Sequence, residues 1–244
     1  MHRRISDYEI LNNLFINGAL AERAVSLAAS NRHPLSETTA LYAASIMHAL
    51  AGEFDTVHTL TEQLSGLLED HALPEKRSGF SWLHGQALVT YGRTDEGLAE
   101  MQAAAKAAQD LGIRYGLCGF HYHYASACRL AGRTAEATAS VEAGLALSAE
   151  LGETMVLAAL LRMRAEGELA SKSHATAGIS LLQAITTART QGAALFELQA
   201  LAVAQAHGLG MADPHRLCML LDLYQDDPSP LIAEIKATVA SSAY

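Results

Sequence analysis

Small and apolar residues recur along this chain at helical spacing, and the period-two alternation of β-branched and aromatic residues that marks strands is missing. Ala99, Ala103 and Ala107 form one i, i+4, i+8 stripe, and Ala139, Ala143 and Leu147 form another forty residues on. Both stripes are expected to pack between helices. Divided at its turn signals, the chain predicts about twelve helices arranged in pairs. The first covers roughly Asp7 to Ser30, open to a break near Asn17-Gly18, and Asn31-Arg32-His33-Pro34 stops it because a residue before proline avoids helical angles. Ser36, with Thr39 three residues on, reads as the N-cap of the next helix, which runs to Ala51.

Beneath this pattern lies a period. Gly112, Gly152 and Gly192 end helix-like segments forty residues apart, and Gly52, Gly92 and Gly132 form a second series half a repeat earlier. A glycine just past a helix suits the left-handed C′ position. Five residues after each glycine of the second series stands Val57, Gly97 or Ala137. The fourth copy keeps the spacing with Lys172 in the turn and Ala177 in the packing position. Asp95, Glu96 and Glu136 enter the first turn of the following helices, where negative charge suits the helix dipole. Self-similarity at such a period is the signature of a solenoid, which typically binds along a concave face. The stretch His207–Pro214 breaks the period, and two shorter helices, near 215–224 and 229–242, read as a cap.

Composition narrows the class of partner. Of the 244 residues half are hydrophobic and only 6% aromatic, and the five prolines fall in loops or first turns. A formal charge of −9 argues against nonspecific nucleic-acid binding and against docking on an anionic membrane. Cys118, Cys128 and Cys218 make no disulfide framework and suit a reducing compartment. The first residues carry no apolar signal region and no run approaches the length of a membrane span, so a cytoplasmic protein is expected.

The forty-residue pairs resemble tetratricopeptide repeats lengthened by longer helices. The likeness is clearest at the small residues expected to face a partner helix: Ser45, Gly85 and Ala125, and Leu64, Ala104 and Gly144. Several segments resemble, in order and spacing, the C-terminal helical region of large bacterial signalling proteins that join an ATPase module to an adenylate-cyclase or DNA-binding domain. These are His33-Pro34-Leu35-Ser36, Gly85-Gln86-Ala87-Leu88, Tyr91–Gly97, Ala131–Ala137 and Arg164–Leu169, within roughly Ala24 to His207. The chain has no Gly-x-x-x-x-Gly-Lys phosphate loop, so the resemblance implies only the sensor or interaction half, acting alone or within a longer regulator. The expected fold is an all-α, right-handed α-solenoid of tetratricopeptide-like hairpins forming one domain. It comprises an N-terminal helix or helix pair over 1–34, repeats over 35–207 and capping helices over 208–244.

The resemblance also implies which face binds, since the first helix of each such pair lines the inner groove. One groove register holds Tyr42, Trp82, Tyr122 and Arg162, and four residues on come Ile46, Gln86, Ser126 and Glu166. Arg129 lies one turn beyond Ser126. Aromatics and arginine anchor interfaces, and arginine pairs carboxylates bidentately, so the ladder suits an extended peptide or protein segment. Repeated packing produces the same register, with Tyr42, Trp82 and Tyr122 as partly buried spacers.

Rival chemistry finds little support. His121 and His123 are two apart and diverge on a helix, Cys118 with His121 supplies two ligands at most, and His84 aligns with neither thiol. Cys118 near a helix start with His121 lacks an orienting carboxylate nearby in sequence, Glu166 and Glu168 diverge, and Asp226-Asp227 reads as a turn. No catalytic set, cofactor or metal is therefore expected. The partner is expected to be a protein or peptide. A small-molecule effector in the superhelix, or self-association through Leu217, Leu220, Leu221 and Leu223 at one end, are the alternatives.

Overall fold

The computed structural model describes residues 18–31, 33–71 and 74–241. The part of the first expected helix before Gly18, with its break, lies outside them. Among the described residues twelve helices follow one another without a strand. They are α1 (Gly18–Asn31), α2 (Pro34–Ala51), α3 (Phe54–His71), α4 (Pro74–Thr90), α5 (Thr94–Asp110) and α6 (Leu117–Leu130), then α7 (Thr134–Leu151), α8 (Leu157–Ala170), α9 (His174–Gln191), α10 (Ala194–Ala206), α11 (Pro214–Leu223) and α12 (Pro230–Ser241). None of these helices is long and apolar enough to cross a membrane.

The turn glycines do what their period predicts. Gly52, Gly92 and Gly132 adopt φ of 79, 78 and 71°, a region that costs a residue with a Cβ about 1–2 kcal/mol. Lys172 occupies that same position in the fourth copy with φ 60°, the one positive φ outside glycine among the described residues. Lys172→Gly is therefore expected to stabilise the fold by about 0.5–1 kcal/mol, the relief of strain less the extra entropy of an unfolded glycine. A thermal melt showing equal or lower stability would contradict this.

Two sequence expectations are corrected. Helix α2 begins at Pro34, with His33 as its N-cap accepting a hydrogen bond from the Ser36 backbone, so Ser36 is not the cap. Proline opens the helix here because its missing N–H belongs to the set a first turn leaves unbonded. The alanine stripes do not pack between helices. Ala99, Ala103, Ala107, Ala139 and Ala143 are all exposed, and α5 instead buries Gly97, Leu98, Met101, Ala104, Ala105 and Ala108. The larger apolar side chains, not the alanines, decide which face turns inward.

The described residues divide into two compact units, 18–144 and 145–241, the boundary falling inside α7. In the first unit α2 to α6 pack as successive hairpins, and α4 lies against both α2 and α6. Its core gathers Leu41, Leu64, Leu68 and Phe80, and beside them Val57, Leu83 and Ala87. The small residues predicted at the hairpin contacts are buried: Ser45, Gly85 and Ala125 on first helices, and Val57, Gly97 and Ala137 on second helices.

In the second unit α10 packs against α8, α9, α11 and α12. Leu198 and Leu201 of α10, Leu181 of α9, Leu217 and Leu220 of α11 and Ile232 of α12 share one core, so the last helices cover it. Leu217 and Leu220 are thus interior, while Leu221 is half-buried and Leu223 exposed. Glu197 is only 1% exposed within α10 yet remains charged. Arg189 reaches its carboxylate at 2.5 Å from α9, and Arg216 at 2.6 and 3.0 Å from α11. Burial alone would push this carboxyl up, but the hydrogen bonds and charges of Arg216 and Arg189 together hold it below the usual range.

Candidate functional site

Tyr42, Trp82 and Tyr122 fall on α2, α4 and α6, the first helices of three consecutive hairpins in the first unit. Tyr42 is half-buried and lies over Gly79, where a Cβ would come within 2.7–2.8 Å of its hydroxyl and ring. Burial, with Tyr115 nearby, pushes its hydroxyl up to about 12. Trp82 is 6% exposed, 5.5 Å from the Phe120 ring, and its buried Nε1 has no hydrogen-bond partner among the described residues. Tyr122 is 7% exposed, its ring edge-on to His123 at 5.0 Å.

The second row is mixed. Gln86 is buried and its Oε1 accepts from Nδ1 of His123 at 2.8 Å, tying α4 to α6. Ser126 is half-buried and Arg129 exposed in the last turn of α6. In the second unit, Arg162 and Glu166 on α8 pair with each other at i, i+4, both largely covered. The structure thus sets the aromatic register side by side on adjacent helices but covers Trp82, Gln86 and Tyr122. Tyr42, Ser126 and Arg129 keep accessible surface.

Burial lowers His123 to about 4, so the folded ring stays neutral at physiological pH. Its folded pKa lies below the unfolded value of about 6.5, so the unfolded chain takes up the proton first and stability falls as pH drops from about 6.5 toward 4. The loss expected is about 3 kcal/mol across that window. Urea unfolding at a series of pH values checks it, and His123→Gln should flatten that slope; an unchanged slope would contradict the assignment.

A second polar row went unread in the sequence, although it follows the same period two residues further on: His84, Tyr124 and Arg164. Each contacts the second helix of its hairpin. His84 Nδ1 bonds the Glu100 carboxylate at 2.9 and 3.1 Å, and its Nε2 lies 3.3 Å from Glu62 Oε1 on α3. The bond to Glu100 raises His84 above its ordinary value against the opposing effect of burial. Tyr124 accepts from Gln102 and donates to Glu136 at 3.2 Å. In the second unit, Arg164 donates to Ser180 and Gln183, each at 3.2 Å.

Around Tyr124 the surface opens into a cleft of about 400 Å³ between α5, α6 and α7, with Gln102, Lys106, His121, Glu136 and Ser140 among its walls. Cys128 lies on α6, and burial pushes its thiol up to about 11, the opposite of what a nucleophile needs.

Neither a family model nor a curated relative matches the sequence. Solved structures do match the fold. A Rap protein complexed with Competence and Sporulation Factor aligns with a TM-score of 0.74 and 13% identity over 96% of this chain, which spans 64% of that protein's length. The apo form of RapI aligns with a TM-score of 0.58 and 9% identity, covering 98% of both chains. A signal transduction ATPase (STAND) protein with a tetratricopeptide repeat sensor, from Pyrococcus horikoshii, aligns with a TM-score of 0.59 and 10% identity over 96% of this chain and 38% of that one. The chain is therefore an all-α solenoid of tetratricopeptide-like hairpins, a fold it shares with Rap proteins and with this sensor-bearing ATPase.

Proposed function

We propose that the chain is a noncatalytic interaction or sensor module of bacterial signalling or transcriptional regulation, working in the cytoplasm, that binds an extended peptide or protein segment on its first-helix face. The observation that carries this reading is the aromatic register of Tyr42, Trp82 and Tyr122 on the adjacent helices α2, α4 and α6. Tyr42 and Arg129 offer the accessible anchors, Ser126 a hydroxyl one turn before Arg129 on α6, and buried Trp82, Gln86 and Tyr122 the rigid floor. The matched Rap complex, which holds a bound factor, supports a binding role for the fold.

Panning a random peptide library against the whole chain tests this reading. Selected peptides should bind with saturable change in the fluorescence of Trp82, the single tryptophan. Tyr42→Ala and Arg129→Ala should each weaken binding by about tenfold, as anchor residues do. Peptides that bind both variants as tightly as the wild type would refute the assignment.

A second reading, a small-molecule effector, is favoured by the cleft at Tyr124, whose volume of about 400 Å³ falls within the range of ligand pockets. A thermal-shift panel of metabolites, repeated on Tyr124→Ala, separates the two readings. A stabilising metabolite whose effect disappears in that variant would assign the effector to the cleft.

A further inference from the structure

Where α3 meets α4, three side chains converge that the sequence did not connect. His58 and Glu62 are four residues apart on α3 and share its face, and His84 comes from α4. One ligating atom from each lies within 4.8 Å of the other two. His84 Nε2 and Glu62 Oε1 are already 3.3 Å apart. Two ligands of one tetrahedral zinc stand about 3.3 Å apart, given metal–ligand distances of roughly 2.0–2.1 Å.

The surroundings complete the pattern. Glu100 holds Nδ1 of His84 at 2.9 and 3.1 Å. A carboxylate on the outer nitrogen of a histidine fixes the tautomer and leaves the Nε2 lone pair for an ion. His58 brings a nitrogen in need of a partner, since its Nδ1 is buried without a hydrogen bond among the described residues. Such an orphaned polar atom is costly to a fold until a partner reaches that atom. Phe80 stacks on His84 at 5.5 Å and Tyr91 sets its ring edge against His58 at 5.3 Å, so both imidazoles are braced. The Glu62 side chain is 62% exposed and leaves a path from solvent.

We propose that His58, Glu62 and His84 form a binding site for a divalent transition-metal cation of the zinc class. Two neutral imidazoles with the carboxylates of Glu62 and Glu100 carry a charge of −2, which one such cation balances. Imidazole nitrogen selects zinc and its neighbours over magnesium and calcium, which take oxygen ligands. Three protein ligands leave a fourth position for water or for a donor atom from a bound partner. The ion joins α3 to α4 across the seam between two hairpins, so binding stabilises the folded first unit.

Calorimetric titration of the tag-free full chain with zinc chloride, with magnesium chloride as comparison, tests the site in a Cys218→Ser background that removes the exposed thiol. One equivalent of zinc should bind, no magnesium should, and the melting temperature should rise with zinc alone. His58→Ala and Glu62→Gln should each weaken binding at least tenfold, and Glu100→Gln, which touches His84 and not the ion, by about 10–100-fold. Zinc binding that survives His58→Ala and Glu62→Gln, or none beyond that of magnesium, overturns the proposal. Should a variant fail to fold, the imidazole resonances of the wild type decide. Zinc must shift those of His58 and His84, and unshifted signals overturn the site.

Discussion

Gly97→Val is expected to cost at least about 3 kcal/mol and to lower the melting temperature of the chain by more than about 6 °C. Gly97 of α5 and Gly85 of α4 face each other where the two helices of a hairpin cross. A Cβ on Gly97 would run into the Gly85 carbonyl oxygen and come within 3.0 and 3.1 Å of Val89 and Leu88. A Cβ on Gly85 would meet the Gly97 carbonyl oxygen and Met101 Cγ, each at 2.6 Å. A backbone oxygen cannot rotate aside, so the helices must separate and uncover Leu98 and Met101, both fully buried. Gly66, exposed on α3 with nothing within 4 Å of its Cβ position, is the internal control. Gly66→Ala should stabilise by up to about 1 kcal/mol, the helix propensity gained. Urea denaturation of both variants reads the contrast, and a Gly97→Val protein as stable as the wild type would mean that the helices do not approach this closely.

The double substitution Arg189→Ala/Arg216→Ala should destabilise the second unit by about 3 kcal/mol, because it strands the buried Glu197 carboxylate without its counterions. Both guanidiniums are partly exposed, at 46% and 36%, which keeps this figure at the lower end for a broken buried pair. The sign of the pH dependence follows from the lowered folded pKa of Glu197. Its contribution is present above the unfolded carboxyl value of about 4.3 and is lost as the pH falls through the folded value. Acid unfolding of the wild type should therefore steepen below about pH 4, and the double variant should lose that step. A variant that melts like the wild type at neutral pH would show that Glu197 is held by something other than these two arginines.

The period was legible because a left-handed turn and a close helix contact each admit few residue types. Gly52, Gly92 and Gly132 could be placed in turns from spacing, and Ser45, Gly85 and Ala125 at helix contacts from the resemblance to tetratricopeptide repeats. Lys172 was legible too, as the odd residue in a glycine position. The faces of the helices were harder. The stripe Ala99, Ala103, Ala107 has perfect helical spacing, yet it is exposed, because Leu98 and Met101 lose more by facing water than alanine does. The start of α2 was misplaced because Ser36 is a common cap type, while His33 caps through a ring nitrogen.

At the candidate site, spacing identified the helices but not the depth. Trp82 and Tyr122 share a register with Tyr42 but are buried, whereas Tyr42, over Gly79, is half-buried. The His58, Glu62 and His84 cluster was invisible because its members come from different hairpins, and only tertiary packing sets His84 against the i, i+4 pair on α3. The row His84, Tyr124, Arg164 carried a usable signal, the forty-residue period itself, hidden by the chemical difference among its three residues.

Amide hydrogen exchange on the full chain, with and without a saturating library-selected peptide, tests the interaction role most directly. Binding on the first-helix face predicts slowed exchange in α2, α4 and α6, centred near Tyr42, Ser126 and Arg129. Protection confined to the second helices α3, α5 and α7, or no protection at saturation, would contradict it.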